Sequence, residues 1–191
     1  MSIMEFWSHS DWVIKVLLLV LGVVLVMVFE KLYHYFLNYK SMQQLQNMNT
    51  LNELDTMDES FIKETLLEIK NFSGSSEALF NSFVGVKLDL YEHYMMRYVT
   101  IIGVVAILSP MLGLIGTFIG VWHVFEGVGN IGLNDPAVIA KGIKEVIIDT
   151  MAGLVVAVIA MIFYKTFEFI GAKSVTKFEE KLYKLLRGQD A

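Results

Sequence analysis

The sequence predicts an all-α membrane protein with three transmembrane helices and long helical extensions in the cytoplasm. Of its 191 residues, 55% are hydrophobic and only 18% are charged, whereas about a quarter of the residues in soluble domains are charged. Three apolar stretches are long enough to cross a bilayer, which requires roughly 20 mostly apolar residues. Much of the remaining chain keeps apolar side chains near helical spacing.

These stretches divide the chain into seven segments. They are an outer N-terminus (1–11), a first span (12–29), a cytoplasmic helical region (30–97), a second span (98–126), a short outer loop (127–136), a third helix that contains the third span (137–170) and a cytoplasmic C-terminal helix (171–191). Gly127 and Gly129 predict the end of the second helix. Asp135 and Pro136 predict an N-cap and a first helical residue.

The distribution of Lys and Arg predicts the orientation of the chain. These residues mark the cytoplasmic side of membrane proteins. Only three of the fifteen, Lys15, Lys141 and Lys144, fall outside the middle segment and the chain that follows the third apolar run, which ends at Tyr164. We therefore expect the C-terminus in the cytoplasm and the N-terminus outside.

The cytoplasmic region carries two apolar stripes separated by the sequence SGSS at 73–76. Isolated amphipathic helices cannot bury such faces. We expect partner helices from sister subunits to cover them, and packing within one chain is the alternative. The polar stretch at 42–49 is expected to be looser. The first stripe comprises Leu45, Met48, Leu54, Phe61, Ile62, Leu66, Ile69 and Phe72, and the second Phe80, Phe83, Val84, Lys87, Tyr91, Tyr94 and Tyr98.

The second and third spans carry narrow faces of small residues, which let helix backbones approach closely in lipid. Pro110 removes one backbone hydrogen bond and predicts a kink. Thr117, a hydroxyl among glycines, indicates either a polar path or a simple helix-packing surface. The packing residues are Gly113, Gly116 and Gly120 in the second span and Gly153 and Ala157 in the third.

Two carboxylates stand at the start of the third span, followed by the hydroxyl of Thr150. Glu145 and Asp149 are four residues apart, so like charges share one side of a helix. A charged Asp at the bilayer centre costs roughly 2.5–3.5 kcal/mol. Asp149 is therefore expected to face protein or water, with snorkelling to the outer interface as the alternative. Lys141 or Lys15 could neutralise a carboxylate.

Composition excludes several classes of function. The chain has no cysteine, which excludes disulfides and thiol catalysis. The histidines lie far apart, so we expect no metal site and no cofactor, and no basic stripe suggests nucleic-acid binding. His123 with Glu126 is the only pair on the outer side that could support catalysis. We therefore expect a protein that is not an enzyme.

Two stretches resemble the MotA/TolQ/ExbB family of proton-channel subunits. They are PMLGLIGTFIGVWHVF (110–125) and GIKEVIIDTMAGLVVAVIAMIFY (142–164), joined by a short loop after a first span and a long cytoplasmic segment. The resemblance extends to sequence motifs over roughly residues 98–170. Before them, only the order and length of the segments resemble the family. A three-span chain is similar to TolQ and ExbB, and it fits the four-span MotA poorly.

The resemblance implies a homopentamer in the inner membrane of a Gram-negative bacterium, with a periplasmic N-terminus. It implies a pore around a dimer of single-span TolR- or ExbD-like partners, and a TolA- or TonB-like protein as a further partner. Proton motive force would then drive work on the cell envelope or outer-membrane transport. The family's pore-lining positions fall on Thr117, Glu145 and Thr150.

Asp149 departs from the family pattern, because many relatives carry a small apolar residue at this position. The sequence predicts a polar track of Thr117, Thr150, Glu145 and Asp149 along which protons pass. The alternative is a non-conducting membrane scaffold whose small-residue faces only pack helices. The sequence leaves open the choice between the TolQ and ExbB roles and between protons and sodium.

Overall fold

The computed structural model describes residues 12–72, 76–131 and 136–187, and every regular element in them is helical. This confirms the predicted all-α class, and the pentameric ring stays a prediction. The elements are α1 (Trp12–Asn47), a short 3-10 helix (Leu51–Thr56), α2 (Phe61–Lys70), α3 (Glu77–Met96), α4 (Val99–Ile131) and α5 (Pro136–Arg187).

The chain divides into two compact units. The membrane unit comprises the chain up to Val28 together with Thr100–Lys165, and the bundle unit comprises Phe29–Val99 together with the chain from Thr166 onward. Three helical stretches are long and apolar enough to cross a membrane, namely Trp12–Asn47, Val99–Gly127 and Gly142–Leu186. They confirm the three predicted spans, which are parts of longer helices.

In the membrane unit, α1 packs on α4 and α5 through a small apolar cluster. Val13 and Leu17 of α1 meet Val156 of α5, and Leu112 of α4 lies against them. The outward surface of the unit remains apolar, as expected for lipid or a neighbouring subunit. Among its exposed side chains are Leu19, Val26, Phe118, Trp122 and Phe125.

Helix α4 runs further than the sequence predicts. It passes through Gly127 and Gly129 and ends at Ile131, so the predicted loop start at 127 differs from the structure. A glycine inside a helix costs only about 1 kcal/mol relative to alanine, so it permits a helix end without forcing one. The predicted cap Asp135 lies outside the described residues. Helix α5 begins at Pro136, where the missing amide of proline is harmless.

In the bundle unit, the two apolar stripes are covered within one chain, which was the alternative to the expected cover by sister subunits. Within one chain, α2 and α3 bury them against the second half of α1 and the end of α5. The stretch at 42–49 is ordered there, since α1 continues to Asn47. The buried cluster contains Met42, Leu45, Met48, Leu51, Leu54, Met57, Ile62, Leu66, Ile69, Val84, Tyr91, Met95, Phe178, Leu182 and Leu185.

Polar contacts fix the ends of these helices. The Lys181 ammonium donates to the carbonyls of Gln46 at 3.0 Å and Met48 at 2.6 Å, close to the C-terminus of α1, where helix carbonyls need donors. The Ser60 hydroxyl accepts a hydrogen bond from the amide of Lys63 at the start of α2.

Between α3 and α4, Tyr98 has a positive φ of 66°, and the Arg97 guanidinium lies 4.7 Å from the centre of the Tyr98 ring.

A buried polar pair joins α1 to α3. The Tyr91 side chain is fully buried, and its hydroxyl exchanges hydrogen bonds with the Asn38 amide group at 3.0 and 3.2 Å. Burial raises the pKa of the Tyr91 phenol, and the hydrogen bond from Asn38 partly opposes that rise. Because the folded state favours the neutral phenol, this contribution to stability is present below the phenol's ordinary pKa and is lost as the pH rises above it.

Replacing Tyr91 with Phe should destabilise the chain by about 1–3 kcal/mol, because the Asn38 amide would stay buried without its partner. Thermal unfolding of the detergent-solubilised protein measures this loss. The double variant Asn38→Leu/Tyr91→Phe is the control, since it removes both polar groups and should recover most of the stability. Equal destabilisation of the single and double variants would contradict the role of this pair.

Candidate functional site

Helices α4 and α5 make backbone contact along a line of glycines. A methyl group built on Gly153 would lie 2.6 Å from the Ser109 carbonyl oxygen, and one on Gly113 would lie 2.9 Å from the Asp149 carbonyl oxygen. Real side chains essentially never come this close, so only glycine fits at these two positions. Ala157 continues the small-residue face of α5 and is buried.

The contact continues toward the α4–α5 connection. A methyl group on Gly116 would lie 2.7 Å from Asp149 Oδ2, and one on Gly120 would lie 2.6 Å from Val146 Cγ2. Together these contacts define the α4–α5 seam. It consists of Gly113, Gly116 and Gly120 on α4 and Val146, Asp149 and Gly153 on α5.

Two further glycines extend this packing beyond the residues that the sequence indicated. Gly103 of α4 meets the Tyr164 ring, and Gly142 of α5 meets a methyl group of Val124. Gly103 precedes Gly113 by ten residues, so it lies roughly 80° around α4 from Gly113 and off the glycine face of the seam. The small-residue spacing therefore gave no signal for Gly103, and the sequence offers none for Gly142, which faces a branched side chain.

Asp149 lies within the seam and not on the surface of the chain. Its side chain is 1% exposed, and it occupies the space that the absent side chain of Gly116 leaves. A buried carboxylate is tolerated only where it is paired, hydrogen-bonded or protonated. The sequence placed Asp149 among the pore-lining residues, and the structure shows that access to it from outside one subunit is closed.

The two threonines flank the seam and stay partly exposed. The Thr117 hydroxyl donates to the Leu114 carbonyl at 2.6 Å, and the Thr150 hydroxyl donates to the Val146 carbonyl at 3.4 Å. Each hydroxyl donates its hydrogen bond to a carbonyl of its own helix, and the lone pairs of its oxygen remain available to accept another. Because Gly113 lies against the Thr150 backbone, close packing fixes the position of this hydroxyl.

The remaining predicted residues contribute less to the described site. Glu145 belongs to α5, but its side chain lies outside the described residues. Helix α4 continues through Pro110, and the kink there stays a prediction. His123 and Glu126 are both exposed. Across the described ranges, no three His, Asp or Glu side chains form a group that could hold a metal ion.

Three helices that are long and apolar enough to span a membrane, a glycine seam and a buried acid are typical of a multi-pass helical membrane protein, in which such an acid marks a candidate ion pathway. The MotA/TolQ/ExbB proton channel family model matches residues 53–180. The chain belongs to this family.

Individual relatives carry the ExbB name. The chain is 25% identical to the biopolymer transport protein ExbB of Salmonella typhimurium over 87% of this chain and 78% of that protein. It is 26% identical to an ExbB-like biopolymer transport protein of Helicobacter pylori over 85% of each. An ExbB homolog of Methanothermobacter thermautotrophicus is 51% identical over 57 residues, which are 29% of this chain and 19% of that protein.

Replacing Gly153 with Ala should lower the stability of the protein by about 1–3 kcal/mol, because the new methyl group would force the helices apart. The matched control is Gly22→Ala on α1, where a methyl group would meet nothing within 4 Å. The control should leave the unfolding temperature unchanged or slightly raised, since alanine favours helix more than glycine does. Equal unfolding temperatures for both variants would show that the seam does not need this glycine.

Proposed function

We propose that this chain is the channel subunit of an inner-membrane motor that uses proton motive force, in the manner of TolQ and ExbB. It works with a dimer of single-span TolR- or ExbD-like partners inside a homopentameric ring, and a TolA- or TonB-like protein receives the work. The observation that carries the proposal is the burial of Asp149 in the glycine seam of a chain that belongs to a proton channel family.

The mechanism follows from the polarity of the two helices. Within the membrane unit, the surfaces of α4 and α5 are apolar except for a few groups, so an ion can pass only where hydroxyl and carboxyl oxygens replace water. Thr117, Thr150 and Glu145 supply these oxygens along the proposed track. Asp149 lies behind the track in the seam, and protons reach it when the helices move apart.

Each proton that follows this track does work on the assembly. One elementary charge that crosses the membrane potential releases about 2.3 kcal/mol per 100 mV. Several protons per cycle therefore supply enough free energy to repack helices. When no acid of the single-span partner is engaged, the apolar interior of the ring keeps the proton path closed. In this proposal, the Lys-rich and Arg-rich segments face the cytoplasm and the N-terminus faces the periplasm of a Gram-negative cell.

A non-conducting scaffold is the second candidate function. Close glycine packing supports it, because the seam would hold helices together whether or not protons pass. The buried carboxylate favours the channel, since a scaffold gains nothing from an ionisable group that costs free energy to bury. The two candidates therefore differ in their dependence on the acids.

Replacing Thr117 or Thr150 with Val should abolish proton-driven activity, because valine matches threonine in shape and lacks the oxygen. Assembly and abundance should stay normal. Dye-reported proton uptake by vesicles from cells that express the chain with its neighbouring genes provides the measurement. Thr176→Val is the matched control, since its hydroxyl also bonds to a carbonyl one turn earlier and lies outside the spans. Normal uptake in both test variants would count against the track.

The double variant Glu145→Ala/Asp149→Ala separates the channel from the scaffold. A channel should lose its proton uptake, whereas a scaffold should be unaffected. Asp149→Asn tests the charge alone, because asparagine keeps the shape that fits beside Gly116. Glu126→Ala removes an exposed acid outside the track and serves as the control. Unchanged uptake in the double variant at normal abundance would leave only the scaffold.

A further inference from the structure

The bundle unit contains a small cavity at the C-terminal end of α3. It is lined by Lys31 and Tyr35 of α1, by Tyr94 and Met95 in the last turn of α3, and by Arg97 and Tyr98, which follow that helix. All six residues belong to this one unit. The volume of this space, the Lys31 cavity, is about 10 Å³, which is room for one particle of the size of a water molecule.

The ammonium group of Lys31 is buried with few acceptors around it. The residue is 3% exposed. Among the described residues, its ammonium makes one hydrogen bond, to the Tyr94 carbonyl at 3.5 Å, lies 5.0 Å from the centre of the Tyr35 ring and pairs with no carboxylate. An ammonium group has three hydrogens to donate, and burying them without acceptors costs free energy. The cavity therefore calls for a further acceptor.

The charges around the cavity indicate that this acceptor is an anion. Arg97 lines the cavity together with Lys31, and its guanidinium always carries a proton. The C-terminus of α3 offsets only about half an elementary charge. Glu30 is exposed, and its carboxylate lies 3.9 Å from the ring of His34, which also borders the cavity. A water molecule would accept from Lys31 and leave the positive excess, whereas a monovalent anion would also remove it.

The walls of the cavity are fixed by contacts of their own, so its size selects the anion. The Tyr35 hydroxyl donates to the Phe167 carbonyl at 2.8 Å. The Tyr94 ring stacks on the Phe61 ring with 4.6 Å between their centres. A preformed space with room for one water molecule admits a monatomic anion and excludes sulfate, phosphate and organic acids.

We propose that the Lys31 cavity binds one small monovalent anion of the size of chloride. The Lys31 ammonium and the Arg97 guanidinium donate hydrogen bonds to the anion, which neutralises part of their charge. Because these two cations come from α1 and from the segment after α3, the bound anion joins the two and stabilises the bundle unit. This inference concerns the bundle unit alone and does not depend on the passage of protons through the membrane unit.

Thermal unfolding of the full chain in detergent tests the anion site. Sodium chloride is compared with sodium gluconate at equal ionic strength, so that charge screening stays the same while gluconate is too large for the cavity. Above the dissociation constant, each tenfold rise in chloride should raise the unfolding temperature by about 3–6 °C. Bromide should act like chloride, and sulfate should have no such effect. Equal unfolding temperatures in chloride and gluconate, or a stronger response to sulfate, would overturn the proposal.

Substitutions assign the chloride response to this cavity. Lys31→Met should abolish the response without lowering the unfolding temperature in gluconate, because an apolar side chain in place of a buried cation is often neutral or stabilising. Arg97→Gln, at an exposed residue, should raise the chloride concentration required about tenfold. Lys40→Met is the matched control on α1, since Lys40 is exposed and pairs with Asp58 at 2.7 Å, and it should keep the response. A response that survives in Lys31→Met would overturn the proposal.

Anomalous scattering from crystals of the unmodified chain grown with bromide locates the anion without any substitution. A bromide peak within hydrogen-bond distance of Lys31 Nζ is the expected result. A water molecule at that place, with bromide bound only elsewhere, would overturn the proposal. Neither result touches the proposed function, whose tests depend on the acids and threonines of the membrane unit, so the two can fail separately.

Discussion

The contact between the α4 and α5 backbones at Gly113 and Gly153 is the constraint on which the membrane unit depends. With lipid on the outside, two apolar helices gain little from burying more apolar surface, so close packing must hold them together. The glycines allow that packing, and they leave a space of defined shape beside Gly116. The side chain of Asp149 fills this space, so the same contact that joins the helices also encloses an acid.

Enclosure changes the chemistry available to that acid. A carboxyl group on the subunit surface would exchange protons with any water that reached it, whereas one inside a helix interface exchanges them only when the interface opens. The partly exposed hydroxyls of Thr117 and Thr150 do not share this restriction. In the described chain, the site therefore combines two partly exposed hydroxyl groups with one enclosed carboxyl group.

The sequence predicted the helical class, the three spans and the glycines of the seam, because apolar length and small-residue spacing are local properties of the chain. For the cytoplasmic stripes it left two possibilities, cover by sister subunits and cover within one chain, because the folding of α2 and α3 onto α1 and the end of α5 is a tertiary event. It also ended α4 too early at Gly127. The sequence predicted that Asp149 faces protein or water, but it did not predict the enclosure of this side chain beside Gly116, which lies more than thirty residues away in the sequence.

The backbone conformation of Tyr98, between α3 and α4, limits which amino acids this position accepts. A side chain with a β-carbon in the left-handed region costs roughly 1–2 kcal/mol, and Tyr98 occupies that region. The guanidinium of Arg97 above its ring offsets part of this cost. Libraries randomised at position 98 should thus be enriched in Gly, Asn and Asp and depleted in Val and Ile, whose branched β-carbons fit this conformation least well.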